Sequence, residues 1–404
     1  MNPSANQPLV AIACGGTGGH LFPGLAVAGE LQRRGCAVAL LISPKDVDQQ
    51  AVKTATGVEI FTLPAVGLQN RNYVAFVFSF VKSLLAARKI FRQRQPAAVL
   101  AMGGFTSAPP VFAAKELGVK TFLHESNTIP GKANRFLSRF VNQAFVGFPE
   151  AAARLRIKKT SVTGTPVRPQ FCSSRREEAQ TSAHKDQSLL TSAATRKSRT
   201  ALGLDPELPT VLVVGGSQGA RGLNDLVLSA LPLLAEKNWQ WLHLTGANDF
   251  EKVQSAYAKL GLKAVVKPFL AEMDLALGAA TAGVSRAGAS SLAEMAAMRL
   301  PSALVPLPTA ADNHQFFNAA AFEKTGAAKL FEQKNSPPEK VAALLAELVG
   351  DENARQKIQT AMVQWHAPNA AAEIADNILA AIKKEVGDEV QTAPRVETKF
   401  KAVA

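Results

Sequence analysis

The stretch LVAIACGGTGGH, residues 9–20, passes from an apolar strand into a glycine-rich turn and then into a helix. The stretch TVLVVGGSQGAR, residues 210–221, repeats this order about half the chain later. A turn of this kind exposes backbone N–H groups at a helix N-terminus, where proteins commonly hold phosphate or an oxyanion. Two such turns predict two Rossmann-like domains that face one cleft. This arrangement is typical of enzymes that use a nucleotide-activated donor.

The composition restricts the class of partner. The 404 residues are enough for two or three domains, and the hydrophobic content of 47% is ordinary for a globular protein. The formal net charge is +13 and the isoelectric point is about 9.7, which favours anionic partners. Aromatic residues make up only 6% and no motif that reads RNA or DNA is present, so we expect no nucleic acid among the partners.

The three cysteines, Cys14, Cys36 and Cys172, are too few and too irregular for a disulfide scaffold or a zinc site. They fit a reducing cytoplasm. The first strand begins close to the N-terminus, which leaves no room for a signal peptide. No apolar run reaches the roughly 18–20 residues that a membrane span needs, so we expect a soluble or peripheral protein.

Short apolar strands alternate with helical stretches, which predicts an α/β chain with doubly wound parallel sheets. Strand candidates in the first half are 9–13, 37–42, 97–102, 119–123, 143–147 and 160–163, with helices over 23–34 and 73–94. The second series comprises 210–214, 240–244, 263–267, 281–284, 302–305 and 328–331. An amphipathic helix is expected over 370–384, after a plausible N-cap at Asn369.

Residues 173–199 are rich in polar and charged side chains and predict a flexible linker or insertion. The expected division of the chain is an N-terminal acceptor and membrane-associated domain at 1–168, a linker or insertion at 169–204, and a C-terminal donor domain at 205–366. A helix at 367–385 is expected to pack back on the N-terminal domain, and a disordered tail is expected at 386–404.

The first turn is a poor dinucleotide fingerprint, because Leu21 stands where the third glycine of G-x-G-x-x-G is expected. His20 instead ends the turn at the mouth of the helix, where a general base can sit beside N–H groups aimed at an anion. The alternative is that His20 only caps or packs at the helix start.

The second turn resembles a phosphate-binding loop without the lysine of a P-loop, and Ser217 is its candidate donor to a phosphate oxygen. A third loop, SRAGASSLAE at residues 285–294, also opens a helix and can receive a diphosphate, with Glu294 accepting from ribose hydroxyls. The alternative there is a capping box formed by Ser291 and Glu294, which requires no ligand.

Two polar clusters follow strands and are expected to face the cleft. In residues 312–315, Gln315 can read a pair of sugar hydroxyls, although Asp312 can also be a solvated N-cap. Residues 124–127, HESN, stand at the carboxyl end of a predicted parallel strand, where side chains enter the ligand crevice. The alternative is hydrogen bonding at the strand end.

The helix predicted over 73–94 carries more apolar residues than one core-facing stripe requires, and cations follow them. This pattern favours docking on an anionic bilayer over a buried helix with a charged end. On that interpretation, Phe76→Ser combined with Phe80→Ser should weaken binding to anionic vesicles.

Taken together and in order, these motifs resemble the MurG family of bacterial N-acetylglucosaminyltransferases, within glycosyltransferase family 28. The similar stretches are 15–26, 103–109, 124–127, 164–168, 215–224, 286–294 and 312–315. They cover nearly the whole chain outside 173–200 and the tail. Ser126 and Thr165 depart from the family's usual glutamine and asparagine, which affects the expected sugar contacts.

The resemblance implies a GT-B fold, two Rossmann-like doubly wound domains facing a cleft, and an inverting transfer that needs no metal or other cofactor. The implied donor is UDP-N-acetylglucosamine. The implied acceptor is lipid I, undecaprenyl-pyrophosphoryl-N-acetylmuramoyl pentapeptide, which becomes the peptidoglycan precursor lipid II. The implied location is peripheral, on the cytoplasmic face of the bacterial membrane, with its anionic surface and other cell-wall and division enzymes as partners.

The resemblance also implies residue roles. Thr17, Gly18, Gly19 and Asn127 would contact the transferred sugar and flank the acceptor, and Arg168 and Ser217 would face the diphosphate. Leu270 would hold uracil through its backbone, and Gln315 would hold sugar hydroxyls. Phosphate and ribose would be bound by Ala289, Ser290, Ser291, Leu292, Ala293 and Glu294.

For the mechanism, we expect the acceptor 4-hydroxyl to attack the anomeric carbon from the face opposite UDP. His20, with an ordinary pKa near 6.5, is the first candidate for the base and Glu125 is the second. The alternatives are another lipid glycosyltransferase such as a diacylglycerol glycosyltransferase, a UDP-sugar epimerase of similar fold, and a non-catalytic scaffold for envelope-building enzymes.

Overall fold

The computed structural model describes residues 7–45, 48–49, 52–64, 73–171, 193–216 and 219–392. Within these residues the chain forms two parallel sheets with helices on their faces, which confirms the predicted α/β class. None of the described helices is long and apolar enough to cross a bilayer.

The N-terminal sheet contains seven strands in the described part of the chain. They are β1 (Leu9–Ala13), β2 (Ala37–Ile42), β3 (Glu59–Thr62), β4 (Ala98–Ala101), β5 (Lys120–Glu125), β6 (Gln143–Val146) and β7 (Thr160–Val162). Their order is β3-β2-β1-β4-β5-β6-β7, and each neighbouring pair is parallel. The helices of this half are α1 (Gly18–Arg33), α2 (Tyr73–Arg94), α3 (Ala108–Glu116), α4 (Lys132–Leu137) and α5 (Pro149–Ala152). The central strands are almost wholly apolar because helices cover both faces of the sheet.

The C-terminal half repeats the design. After helix α6 (Ala193–Ala201), its strands are β8 (Thr210–Val214), β9 (Gln240–Leu244), β10 (Ala264–Lys267), β11 (Ala282–Ser285), β12 (Ser302–Leu304) and β13 (Lys329–Leu330). The order is β10-β9-β8-β11-β12-β13, again parallel. The accompanying helices are α7 (Arg221–Leu234), α8 (Phe250–Lys259), α9 (Met273–Ala279), α10 (Ala289–Ala297), α11 (His314–Lys324), α12 (Pro338–Gly350) and α13 (Glu352–Met362).

The last helix, α14 (Ala370–Thr392), returns to the N-terminal half. Its buried face, Ile374, Ile378 and Ile382, joins the apolar cluster that lies under the first sheet. On its polar face, Gln143 Nε2 of β6 donates to Asn377 Oδ1 at 3.0 Å. The backbone is helical to residue 392, so the predicted disordered tail at 386–404 is wrong for its first seven residues, and residues 393–404 lie outside the described structure.

Two elements differ from the sequence expectation in the N-terminal half. Strand β3 was not predicted, because an edge strand has one open side and its alternating half-buried pattern gives only a weak apolar signal. Helix α1 begins at Gly18 rather than at residue 23, with Pro23 inside it. Proline has no N–H to donate to the carbonyl four residues earlier, which is that of Gly19.

The flexible character predicted for residues 173–199 is wrong for residues 193–199. Helix α6 occupies residues 193–201, and its Arg199 is fully buried against the C-terminal half. The Arg199 guanidinium donates to the carbonyls of Ala279 and Pro206 at 3.0 and 2.9 Å. Polar composition predicted a flexible segment, but the buried Arg199 and its carbonyl partners hold this helix on the C-terminal half. Residues 172–192 lie outside the described structure.

Candidate functional site

A cavity of about 1950 Å³ lies between the carboxyl ends of the two sheets. It brings together most of the site residues predicted from sequence, from both halves of the chain. The predicted residues that line it are Thr17, Gly18, Gly19, His20, Glu125, Asn127, Arg168, Leu270, Ala289, Ser290, Ser291, Glu294 and Gln315. Leu292 points instead into the C-terminal core, and Ala293 does not line the cavity. Ser217 lies outside the described residues.

The first glycine turn is held in place by an aspartate that we did not predict from the sequence as part of the site. Asp48 is fully buried, and its Oδ2 accepts from the backbone N–H of Gly16 at 2.6 Å and from the hydroxyl of Ser43 at 2.5 Å. Gly16 has a φ of 107°, which favours glycine. Asp48 therefore fixes the turn that opens helix α1.

His20 stands on the first turn of α1 with its ring against the backbone of residues 103–104. A Cβ atom at Gly104 would lie 3.0 Å from Nδ1 of His20, so a side chain there would displace the imidazole. The hydroxyl of Thr17 lies 3.1 Å from the same Nδ1. Burial is the main cause that lowers the pKa of His20 to about 4, against the upward effect of Asp48. His20 is therefore a neutral imidazole near pH 7, and its pKa lies below the ordinary value expected from sequence.

Glu125, the second candidate base, has its carboxylate fully engaged. Oε1 accepts from the backbone N–H and the side-chain amide of Asn127 at 2.8 and 3.0 Å. Oε2 accepts from the backbone N–H of Gly131 at 3.0 Å and from the amide of Asn134 at 2.8 Å. Each carboxylate oxygen thus already accepts two hydrogen bonds from its own loop and helix α4. These contacts favour a positioning role for Glu125 in the loop after β5, against its role as base.

Asn318, a second residue missed from sequence, links this loop to the other half of the chain. It is fully buried on α11, and its Oδ1 accepts from the N–H and the hydroxyl of Thr128, each at 2.9 Å. Its amide donates to Asn127 Oδ1 at 3.0 Å and to the carbonyl of Ala287 at 3.1 Å. Asn127 is thereby fixed relative to the loop that opens α10. An isolated asparagine inside a helical pattern gives no sequence signal for such a contact.

His124 is a structural side chain rather than a site residue. It is fully buried, with Nε2 3.1 Å from the carbonyl oxygen of Gly164 and Nδ1 3.3 Å from the hydroxyl of Ser126. Burial lowers its pKa to about 4. For this residue the structure supports the alternative of hydrogen bonding at the strand end.

The N-terminus of α10 resolves the ambiguity of the third loop. The N-cap is Gly288, and the first helical residue is Ala289. A capping box would need Ser291 at the N-cap and Glu294 at N3, and neither residue is at the position it would need. The backbone N–H groups of the first turn open on the cavity instead. Across the cleft, the hydroxyl of Ser290 donates to the carbonyl of Gly19 at 2.9 Å. This is the carbonyl that Pro23 leaves without a helical donor.

Glu294 faces Arg168 at the end of the cavity. Arg168 Nη2 lies 3.6 Å from Glu294 Oε1, and both side chains are largely buried. The Arg168 guanidinium carbon lies 4.4 and 4.9 Å from the ring centroids of Phe22 and Phe171, which fixes its plane. Burial raises the pKa of Glu294 to about 7, although Arg168 opposes the shift. The pair combines a cation with a carboxylate that titrates near neutral pH.

The second polar cluster has an unusual backbone. Asp312 and Asn313 both adopt left-handed conformations, with φ of 50° and 52°, and helix α11 begins only at His314. Asp312 forms an ion pair with Arg135 of α4 across the cleft, and the N-cap of α11 is Asn313 rather than Asp312. Gln315 accepts from the N–H of Leu307 at 3.0 Å through Oε1, which orients its amide group at the cavity wall.

The site is therefore two helix N-termini facing each other, a neutral histidine on one side and a cation–carboxylate pair at one end. Among the described residues no group of three or more histidine, cysteine or acidic side chains is arranged to hold a metal ion. Such a site can bind an anionic, hydroxyl-rich ligand and accept a proton at His20.

Comparison with known proteins places this geometry in context. The family model for the N-terminal domain of glycosyltransferase family 28 matches residues 10–146, and that for the C-terminal domain matches residues 210–378. A protein of Anaeromyxobacter sp. (strain Fw109-5), named UDP-N-acetylglucosamine–N-acetylmuramyl-(pentapeptide) pyrophosphoryl-undecaprenol N-acetylglucosamine transferase, is 34% identical over 389 residues, covering 93% of this chain and 94% of its own. A relative of the same name from Xanthomonas axonopodis pv. citri is 36% identical, covering 93% and 83%.

Two solved structures also align with nearly the whole chain. The crystal structure of Acinetobacter baumannii MurG has a TM-score of 0.68 and 28% identity, covering 93% of this chain and 99% of its own. A UDP-GlcNAc 2-epimerase from Neisseria meningitidis has a TM-score of 0.65 but only 12% identity, covering 93% and 100%, and shares the fold alone.

Proposed function

Because this chain belongs to glycosyltransferase family 28, we propose that it transfers N-acetylglucosamine from UDP-N-acetylglucosamine to lipid I. The acceptor atom is the 4-hydroxyl oxygen of the N-acetylmuramoyl unit, and the product is lipid II for peptidoglycan synthesis. The observation that carries the proposal is the meeting of α1 and α10 at one cavity, with Ser290 of the C-terminal half bonded to Gly19 of the N-terminal half. A sugar held there touches both domains.

We assign His20 the role of general base. We assign the tautomer with its proton on Nδ1, the nitrogen 3.1 Å from the Thr17 hydroxyl oxygen, so that the lone pair on Nε2 accepts the proton of the attacking hydroxyl. As the new bond to the anomeric carbon forms on one face, the bond to UDP breaks on the other, and the configuration inverts. Thr17 thus contacts the imidazole at the nitrogen opposite the one assigned to take up the proton. Gly18, Gly19 and Asn127 flank the sugar.

The negative charge that develops on UDP is stabilised by the N–H groups at the start of α10 and by Arg168. In this proposal Ser217 contributes from the second glycine turn. Glu294 accepts from the ribose hydroxyls, and Leu270, buried beside the cavity, holds uracil through its backbone. Gln315 donates to the sugar hydroxyls through its amide. No metal ion or other cofactor is part of this proposal.

We expect donor affinity to depend on pH through Glu294. A carboxylate with a pKa of about 7 is ionised above that pH and protonated below it, and the ionised form accepts stronger hydrogen bonds from the ribose hydroxyls than the neutral acid does. The Kd of UDP-N-acetylglucosamine should therefore rise by about tenfold as the pH falls from about 8 to about 6. Calorimetric titration at several pH values measures this. In Glu294→Gln the Kd should be higher and flat with pH, and an unchanged slope in that variant would contradict the assignment.

The membrane proposal concerns helix α2, and the structure corrects the residues that were expected to carry it. Phe76 and Phe80 line the cavity rather than the outer surface. The exposed apolar side chains are Val74, Val77, Phe78, Val81 and Leu85, with exposures of 45–81%. Lys82 lies with its ammonium 4.3 Å from the ring centroid of Phe78. An exposed apolar stripe beside cations fits peripheral docking on an anionic membrane surface.

We expect Val77→Ser combined with Phe78→Ser to weaken binding to phosphatidylglycerol vesicles by about tenfold or more, because both side chains lose their apolar contact with lipid. Binding of the wild type should also weaken as salt rises. Vesicle sedimentation measures both effects. The matched control is Leu233→Ser, an exposed leucine on α7 in the other half, 52% exposed. Equal vesicle binding of the α2 variant and the control would contradict a role for α2 in membrane docking.

The function is tested by a transfer assay with UDP-N-acetylglucosamine and a lipid I analogue, in detergent, with and without a metal chelator. We expect a β-linked disaccharide lipid and one UDP per transfer in both conditions. Transfer to diacylglycerol but not to lipid I would favour the alternative transferase. Conversion of donor without acceptor would favour an epimerase, and donor binding without turnover would favour a scaffold.

A further inference from the structure

The cavity extends beyond the sugar site along a wall of phenylalanines. Phe76 and Phe80 of α2, Phe112 of α3 and Phe136 of α4 line it together with His20. The ring of Phe112 lies 6.2 Å from the rings of both Phe80 and Phe136, measured between centroids. Phe80, Phe112 and Phe136 thus form one connected aromatic wall, and Phe76 lies one turn before Phe80 on the same cavity lining. The contacts proposed for donor, diphosphate and base do not use this wall.

The aromatic wall continues onto the outer face of α2. Phe76 and Phe80 are one turn apart on the side of the helix that faces the cavity, whereas Val77 and Phe78 are 57% and 61% exposed. An apolar path therefore runs from the cavity across α2 to the surface proposed to meet the membrane. Phe136 is itself 47% exposed at the edge of this path.

A cation stands beside the path. Lys132 lines the cavity one helical turn before Phe136 on the same helix, so both side chains project from one face. In the proposed acceptor, a diphosphate joins the reacting sugar to a polyprenyl chain. Lys132 can contact the diphosphate, and the phenylalanine rings beyond it can contact the hydrocarbon chain that follows the diphosphate.

We propose that the aromatic wall is a binding subsite for the first isoprenyl units of the acceptor's polyprenyl chain. The inference rests on the proposed function and deepens it: the enzyme recognises part of the lipid inside the cavity, in addition to docking on the bilayer. An isoprenyl chain is flat, branched and apolar, and half-buried phenylalanine rings offer it the contact area that solvent does not.

The test compares two acceptors with the same sugar, peptide and diphosphate, one carrying a farnesyl chain and the other a methyl group. Steady-state kinetics in fixed detergent are measured for the wild type, for Phe136→Ala and for Phe80→Ala combined with Phe136→Ala. We expect the double variant to raise the KM of the farnesyl acceptor by about tenfold, with kcat and the KM of the methyl acceptor near wild type. Because Phe136 is half exposed, Phe136→Ala keeps the fold and should give a smaller shift of the same kind.

The outcomes are distinguishable. Leu233→Ser, the exposed leucine control, should leave the ratio of the two KM values at the wild-type level. Equal changes for both acceptors, or no change for either, would overturn the subsite. Failure of the wild type to use either acceptor would overturn the proposed function instead.

Discussion

Replacing His20 with alanine is expected to lower kcat by about 100-fold or more, which is the usual contribution of a positioned general base. The imidazole lies against the backbone of residues 103–104 and beside the Thr17 hydroxyl, and an alanine side chain leaves no proton acceptor at that position. Initial-rate measurements with saturating donor and acceptor give kcat directly. The donor Kd, measured by calorimetry on the same preparation, should stay near the wild-type value, which separates lost chemistry from lost folding.

The pH profile gives an independent test of His20. Burial lowers its pKa to about 4, so the imidazole is neutral above that pH and becomes unable to accept a proton below it. The acid limb of kcat/KM for the donor, which reports the free enzyme, should therefore fall in two steps, one near pH 7 from Glu294 and a second toward about pH 4 from His20. In the kcat profile the limb should lie at higher pH, because the negative diphosphate of the donor favours the imidazolium. A kcat near wild type in His20→Ala, or an acid limb that persists unchanged, would exclude His20 as the base.

Replacing Glu125 with glutamine is expected to destabilise the fold by about 3 kcal/mol and to reduce kcat strongly. One carboxylate oxygen becomes an NH₂ group that faces two donors, whichever way the amide is oriented, since each oxygen accepts two bonds. The loop that carries Asn127 then loses its anchor. Chemical denaturation measures the free energy of unfolding, and initial rates measure kcat.

A matched substitution distinguishes the position from the residue type. Glu150→Gln, at an exposed site on α5, should change the free energy of unfolding by less than about 0.5 kcal/mol. If Glu125 were the base, Glu125→Gln would lose the acid limb of the pH profile while its unfolding curve stayed at the wild-type position. A destabilised variant that retains the limb is the result we expect for a positioning residue.

Local pattern was enough to determine the framework of this protein. Each central strand is an unbroken apolar run because it is buried on both faces, and each glycine turn marks a helix start by backbone freedom alone, so both are readable without tertiary contacts. The order of the motifs carried the resemblance to the family. The pairing of the two turns across one cleft, and most of the residues that line it, followed from this information.

Where the pattern was ambiguous, tertiary contacts made the choice. Ser291 and Glu294 have capping-box spacing, but the helix begins at Ala289, which leaves Glu294 facing Arg168. Helix α2 is apolar on more than one side, and only its packing against α3 assigned Phe80 to the cavity and Phe78 to the surface. The helical period determines which side chains share a face of α2, but the packing of the neighbouring helix decides which of those faces is buried.

The residues that sequence reasoning missed share one property. Asp48, Asn318 and Arg199 are single polar side chains, fully buried, whose partners lie on other elements. A buried polar group is stable only when hydrogen-bonded, and those bonds join positions as far apart as residues 128 and 318. The sequence by itself determined the two sheets, the turns and the chemical types of the site. Only the tertiary structure decided which polar groups hold the site together, because their energy depends on partners that the chain brings near only when folded.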